Sequence, residues 1–155
     1  MIKLGLKAPA FTLPDKDGVE HSLSQYAGKW VVLFFYPRDN TPGCTIESCK
    51  FRDMQSKFEK LGAVILGVSK DSEKSHEKFA DKYDLNFTLL SDPDTKMMEA
   101  YGVWQKKKMM GKEYMGIVRS SYLIDPSGKV AKVYDKVKPI SHPGEVLADL
   151  QELSS

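Results

Sequence analysis

The chain of 155 residues lacks several things, and each absence excludes a class of function. No apolar run is long enough to span a bilayer as a helix, so no membrane role is expected. Lys3, Lys7, Pro9 and Pro14 interrupt the N-terminal residues, so no signal peptide is expected there. The formal net charge is only +2, which argues against a broad nucleic-acid surface. The short basic run Lys106, Lys107 and Lys108 is read as a solvated turn. Cysteine is scarce, with two residues, and histidine scarcer than usual, with three. His21, His76 and His142 show no ligand-like spacing, so no metal is expected. Repeats, low-complexity tracts and linkers are missing too, which points to a single domain over residues 1–155. The expected setting is the cytosol, where a persistent structural disulfide is unusual. The two cysteines are then catalytic, redox-sensing, or unrelated buried thiols.

What is present centres on residues 30–61. Residues 30–36 form an unbroken run rich in β-branched and aromatic side chains, as in a strand buried on both faces. Pro37 ends it. Further on, Phe51, Met54, Phe58 and Leu61 recur at helical spacing, and Gly62 sits where a C-terminal cap belongs. Between them a polar loop carries Thr41, Pro42, Gly43 and Cys44. Cys44 is thereby delivered to the first turn of a helix, where unpaired N–H groups and the helix dipole favour a thiolate. A buried structural cysteine would sit equally well in such a position. Cys49 bears on the choice. Five residues of helix give a rise of about 7.5 Å and a rotation of about 140°, which separates the two Cα atoms by roughly 8.6 Å. A disulfide needs them within about 7 Å. Either the pair never bonds, or bonding unwinds the first turn.

Elsewhere the pattern alternates strands and helices. Asp17-Gly18 between short apolar segments predicts an N-terminal β-hairpin, and Ser22 with Gln25 has capping-box spacing. Residues 63–68 and 87–90 read as strands. Residues 73–83 read as a helix on the surface, and residues 95–101 as a short helix. Residues 106–116 read as irregular or as a hairpin edge. Their methionines, with Met97 and Met98, are gap-fillers or exposed packing rather than ligands. Residues 117–124 and 129–133 read as a β-hairpin around Asp125-Pro126-Ser127-Gly128, and residues 143–153 as a closing helix begun by Pro143. The fold class is α/β. A mixed central β-sheet is flanked by helices on both faces, as in the thioredoxin-like fold.

The segment Pro37-Arg38-Asp39-Asn40-Thr41-Pro42-Gly43-Cys44-Thr45 resembles the active-site signature of peroxiredoxins. Cys49, the opening Gly5 to Phe11 motif, and the late run from Gly116 to Asp125 extend the resemblance to the bacterioferritin comigratory protein (PrxQ) subfamily. It covers nearly the whole chain. Ser121-Tyr122 departs from the Thr-Phe of many relatives, at what should be packing positions. The resemblance implies reduction of hydrogen peroxide and organic hydroperoxides without metal or organic cofactor. It implies that Cys44 is the peroxidatic nucleophile, oxidised to a sulfenic acid, and Cys49 the resolving cysteine that forms a Cys44–Cys49 disulfide. Thr41 would both donate to and accept from the peroxide, and Arg119 would bring a permanent cation from a neighbouring strand. Pro37 would wall the pocket, while the N–H groups of Gly43 and Cys44 complete the donor set. Thioredoxin, or glutaredoxin in some members, would reduce the disulfide, and the chain would be a monomer.

Two other functions fit parts of the pattern. A protein dithiol–disulfide oxidoreductase prefers Cys-x-x-Cys, which the Cys-x-x-x-x-Cys spacing here does not supply. A peroxide sensor would form the same sulfenic acid yet pass its oxidation to a partner protein.

Overall fold

The computed structural model describes residues 1–154; Ser155, the last residue of the expected domain, lies outside the described residues. At its centre is β3 (Trp30–Phe35). Val31, Leu33 and Phe35 face one core while Val32, Phe34 and Tyr36 face another, which is why the run is apolar without alternation. β4 (Ala63–Ser69) pairs parallel to β3, and β5 (Thr88–Ser91) parallel to β4. β8 (Ser120–Ile124) pairs antiparallel on the other side of β3, and β9 (Val130–Tyr134) antiparallel to β8. The mixed sheet therefore runs β5-β4-β3-β8-β9. Two parallel pairs need crossovers, and helices supply them: α1 (Pro42–Lys60) from β3 to β4 and α2 (Glu73–Tyr83) from β4 to β5.

The two faces are covered unequally. Phe51 and Phe58 of α1, Phe79 of α2, and Val146 and Leu150 of α4 (His142–Ser154) share one core. The opposite core receives Met97 and Met98 from the short α3 (Lys96–Ala100), together with Phe11 and Tyr101. The expected N-terminal hairpin is present as β1 (Thr12–Pro14) and β2 (Glu20–Ser22), a small sheet of its own. Gln25 Oε1 accepts the Ser22 N–H at 2.9 Å, the return half of the capping box.

Several expectations need correction. Residues 117–124 are not one strand. β7 (Lys112–Ile117) ends at Ile117, the chain steps through Val118 and Arg119, and β8 starts at Ser120. Of the two forms expected for residues 106–116 the hairpin is the one present, since β6 (Trp104–Met109) and β7 form a regular antiparallel pair. Its tip is Met110-Gly111, with φ of 51° and 81°. Two central residues with positive φ suit a tight hairpin, but methionine there is no turn signal. The three lysines accordingly lie on a strand rather than in a turn. α2 is more than a surface helix, because it buries His76, Phe79 and Ala80. Met97 and Met98 fill the core, whereas Met109, Met110 and Met115 are exposed. Ser121 and Tyr122 do more than pack. The Tyr122 hydroxyl donates to the Tyr101 carbonyl and accepts the Ile2 N–H at 2.9 Å, and Ser121 Oγ shares a 2.7 Å hydrogen bond with His142 Nε2.

At Gly67 the side chains of the two neighbouring strands leave little room. A Cβ there would sit 2.7 Å from Phe34 Cζ and 2.9 Å from Leu89 Cδ2. Gly67→Ala is expected to destabilise the fold by about 1–3 kcal/mol through overpacking, as measured by urea unfolding of the reduced protein.

Candidate active site

β3 ends at Phe35, whose cross-strand partner is Ser120. That register brings the residue before Ser120 level with the loop after β3. Arg119, expected on a strand, lies instead in the step between β7 and β8, where its backbone carbonyl accepts the Val137 N–H at 3.0 Å. Its side chain turns toward the start of α1. The chain reaches α1 through Pro37, half-buried behind Tyr36, and then Thr41 in the N-cap position with extended backbone. Pro42 occupies the first turn, where its missing N–H costs nothing. Cys44 follows in the same turn and is 1% exposed.

Arg119 Nη2 donates to Cys44 Sγ at 3.1 Å, and Arg119 Nη1 donates to Glu47 Oε1 at 2.7 Å. One planar fork thus spans two residues a turn apart on α1. Glu47 was not among the residues singled out by sequence. The signal was its spacing of three from Cys44, which puts the two on one helix face. Glu47 is fully buried, and burial pushes its carboxyl up to about 7 against the downward pull of Arg119. Its second oxygen, Oε2, meets no hydrogen-bond partner among the described residues. Burial works to lower the Arg119 guanidinium, but the Glu47 carboxylate and then the Cys44 sulfur outweigh it and hold the group above its ordinary range.

The donor set around the sulfur is ordered. Among the described residues neither the Gly43 nor the Cys44 N–H meets an acceptor, as helix geometry dictates for a first turn. Gly43 is needed for close approach: a Cβ would sit 3.1 Å from Arg119 Nη2 and 3.5 Å from Pro139 Cγ. Thr41 does not cap α1 with its side chain, because its hydroxyl donates to the Arg38 carbonyl at 2.9 Å. His142, at the start of α4, was also missed by sequence. Its ring lies edge-on to Phe51 and Tyr134, and burial, with the nearby Arg119 charge second, pushes it down to about 4. Nothing local in the sequence signals that packing. Cys49 lies a turn and a half along α1, half-buried, and both cysteines are free thiols. Arg119 meets the Cys44 sulfur directly, with Gly43 beside its guanidinium; Thr41 stands three residues before Cys44 at the N-cap, no hydrogen bond ties Pro37 to the sulfur among the described residues, and Cys49 lies further along the same helix.

A cavity of about 520 Å³ lies behind this loop rather than at the sulfur. Asp39, Asn40, Lys78 and Lys82 line it; Thr41, Cys44 and Arg119 do not. The Arg119 donor and the unpaired first-turn N–H groups are at Cys44, not in this cavity. Among the described residues no three His, Cys, Asp or Glu side chains gather as a metal site, and no helix is long and apolar enough to cross a membrane.

The family model described as AhpC/TSA matches residues 4–133. Among curated relatives, Peroxiredoxin Bcp of Bacillus subtilis (strain 168) is 50% identical over 153 residues, 99% of this chain and 98% of that protein. Peroxiredoxin Bcp of Escherichia coli (strain K12) is 45% identical over 151 residues, 97% of each chain. Among solved structures, Xanthomonas campestris Bacterioferritin Comigratory Protein, described for its alkyl peroxide reduction activity, superposes with a TM-score of 0.90 at 41% identity, over 94% of this chain and 92% of its own. A cysteine-to-serine mutant of Xylella fastidiosa PrxQ superposes with a TM-score of 0.95 at 34% identity, over 100% and 99%.

Glu47 gives the site a pH signature. Its carboxyl is raised from 4.5 to about 7 in the fold, so between those values the folded chain holds a proton that the unfolded chain has lost. The stability from protonated Glu47 is fully present below pH 4.5 and is lost as pH rises through about 7. Urea unfolding from pH 4.5 to 7.5 should show this fall, and Glu47→Gln should flatten it by up to about 1 kcal/mol per pH unit.

Proposed function

We propose roles for these residues from one premise: the chain belongs to the AhpC/TSA family and is a thiol peroxidase of the bacterioferritin comigratory protein (PrxQ) kind. The observation that carries the assignment is the 3.1 Å hydrogen bond from a guanidinium to the sulfur in the first turn of α1. As a thiolate, Cys44 attacks the terminal oxygen of the hydroperoxide. The S–O bond forms as the O–O bond breaks, and the departing alkoxide or hydroxide takes the proton given up by the thiol. The products are a Cys44 sulfenic acid and an alcohol or water.

Charge builds on the departing oxygen, and Arg119 with the N–H groups of Gly43 and Cys44 is the preorganised donor set for it. The Thr41 hydroxyl has committed its proton to the Arg38 carbonyl. It is therefore an acceptor for the peroxide O–H rather than both donor and acceptor. Pro37 and Pro139 wall the mouth. Ile140, exposed and next in sequence to Pro139, offers an apolar alkyl group somewhere to rest, which supports organic hydroperoxides as substrates as well as hydrogen peroxide.

Cys49 then attacks the sulfenic sulfur. A Cys44–Cys49 disulfide forms and water leaves, after the first turns of α1 unwind. An external dithiol, of the thioredoxin type, returns both thiols by exchange. We take the chain to work as one domain, as a monomer in the cytosol, where that reductant is maintained.

Three variants separate the roles when peroxide consumption with thioredoxin is compared with a single oxidation of the reduced protein. Cys44→Ser is expected to lose both. Cys49→Ser should keep the single oxidation and lose turnover. Arg119→Met should slow the oxidation by about 10²–10³-fold. Wild-type turnover in Cys44→Ser would sink the assignment.

A further inference from the structure

A buried polar cluster sits directly behind the cysteine loop, and none of the steps above uses it. The Asp39 carboxylate, 3% exposed, is at its centre. Asp39 Oδ1 accepts the Tyr36 hydroxyl at 2.5 Å, while Oδ2 accepts the Ser75 hydroxyl at 2.8 Å and lies 2.7 Å from His76 Nδ1. Its N–H donates to Asp71 Oδ2 at 2.8 Å. On the far side His76 Nε2 donates to the Leu90 carbonyl at 3.0 Å. The loop is thus tied through one imidazole to β5, and through Ser75 and Asp71 to α2 and the turn before it. The next residue, Asn40, has φ of 59°, an uncommon conformation for a residue with a side chain. The Tyr83 hydroxyl donates to its side chain at 3.0 Å.

From Thr41 onward the ties change. Among the described residues, side-chain hydrogen bonds of residues 41–50 go only to the Arg38 carbonyl and to Arg119. The Ser48 hydroxyl is buried without a partner. Beyond Lys50 the helix is pinned again. Phe51 stacks on Phe34 with centroids 4.6 Å apart, Arg52 Nη1 donates to the Tyr83 carbonyl at 2.6 Å, and the Asn86 amide donates to the Arg52 carbonyl at 3.3 Å.

We propose that Asp39 and His76 are positioning residues for peroxide reduction: they hold the entry half of the loop on α2, so that the unwinding which joins Cys44 to Cys49 is confined to residues 41–50. The inference rests on the peroxidase mechanism proposed above and adds to it the boundary of the moving segment. A single residue, Asn40, held in its positive φ, separates Asp39 from Thr41. Loosening Asp39 shifts the Thr41 hydroxyl and the first turn of α1 relative to Arg119, which is anchored elsewhere. Misplacement by about 1 Å is enough to cost a reaction about 10²-fold. The same loosening removes one wall of the unwinding segment, so disulfide formation is not slowed and gains speed.

Rapid mixing of the reduced full chain with hydrogen peroxide, followed by the fluorescence of Trp30 and Trp104, reads both steps. The bimolecular phase reports oxidation and the later first-order phase reports disulfide formation. Asp39→Asn is expected to slow oxidation about tenfold or more while the first-order phase becomes about two- to fivefold faster. His76→Gln, which keeps a donor for the Leu90 carbonyl, should shift both phases in the same opposed directions. Ser75→Ala removes a single hydroxyl at a half-buried site, so it folds even if the others do not. It should shift the phases the same way by about two- to threefold. A purely structural role lowers the melting temperature and leaves both rate constants of the folded protein at their wild-type values. That result, or two constants falling in proportion, overturns the proposal. If the wild-type chain itself shows no fast bimolecular phase, the peroxidase mechanism has failed instead, and the variants are not needed to see it.

Discussion

The Arg119 guanidinium, set between the Cys44 sulfur at 3.1 Å and the Glu47 carboxylate at 2.7 Å, couples the start of α1 to the beginning of β8. A cation largely removed from water must be met by acceptors in fixed geometry, or it destabilises the fold. That requirement fixes much of the surroundings. Glu47 is buried beside it, Gly43 leaves the guanidinium room that a Cβ 3.1 Å from Nη2 would narrow, and the Val137 N–H holds the Arg119 backbone. The antiparallel pairing of Phe35 with Ser120 then sets where the guanidinium can start from. The central sheet thus serves chiefly to bring the end of one strand and the approach to another within reach of a single side chain.

Elements set by local chemistry were legible in the sequence. β3 was visible because both its faces are buried, the N-terminal hairpin because Asp-Gly accepts the turn conformation, and the end of α1 because Gly62 tolerates a φ of 73°. The cysteine loop was legible because its residue types and spacing are specific. The misses share a different cause. The break at Val118 and Arg119 is imposed by where β7 must hand over to β8, and the apolar pattern runs straight through it. The β6–β7 turn uses Met110 in a conformation that its side chain does not advertise. Glu47 reads as an ordinary exposed helix residue until Arg119, distant in sequence, is known to lie over it. His76, Asp39 and Tyr36 meet only because α2 packs across the end of β3, so no window of sequence contains the cluster. Fold class and nucleophile candidates are local information, whereas the groups that orient them are contributed by distant segments.

The same buried pair governs how readily the start of α1 can open. Breaking a hydrogen-bonded ion pair inside a protein normally leaves an uncompensated charge, which is why such pairs resist disruption. Here the carboxylate escapes that penalty on opening, and the guanidinium bears only part of it. Arg119 is already partly exposed, at 16%, and Glu47 is carried into water as its turn unwinds. The desolvation that pushes the Glu47 carboxyl up to about 7 in the closed state is then recovered rather than added to. Thr41 contributes no side-chain cap, Gly43 has low helix propensity, and the Ser48 hydroxyl gains water it lacks when buried. Each feature lowers the cost of leaving the helix without weakening the contacts that Cys44 makes within it. Phe51, fully buried and stacked on Phe34, draws no comparable benefit from exposure. The boundary between a helix start that opens cheaply and a helix body that does not therefore falls just beyond Cys49. That is where it must fall if the second thiol is to be released together with the first.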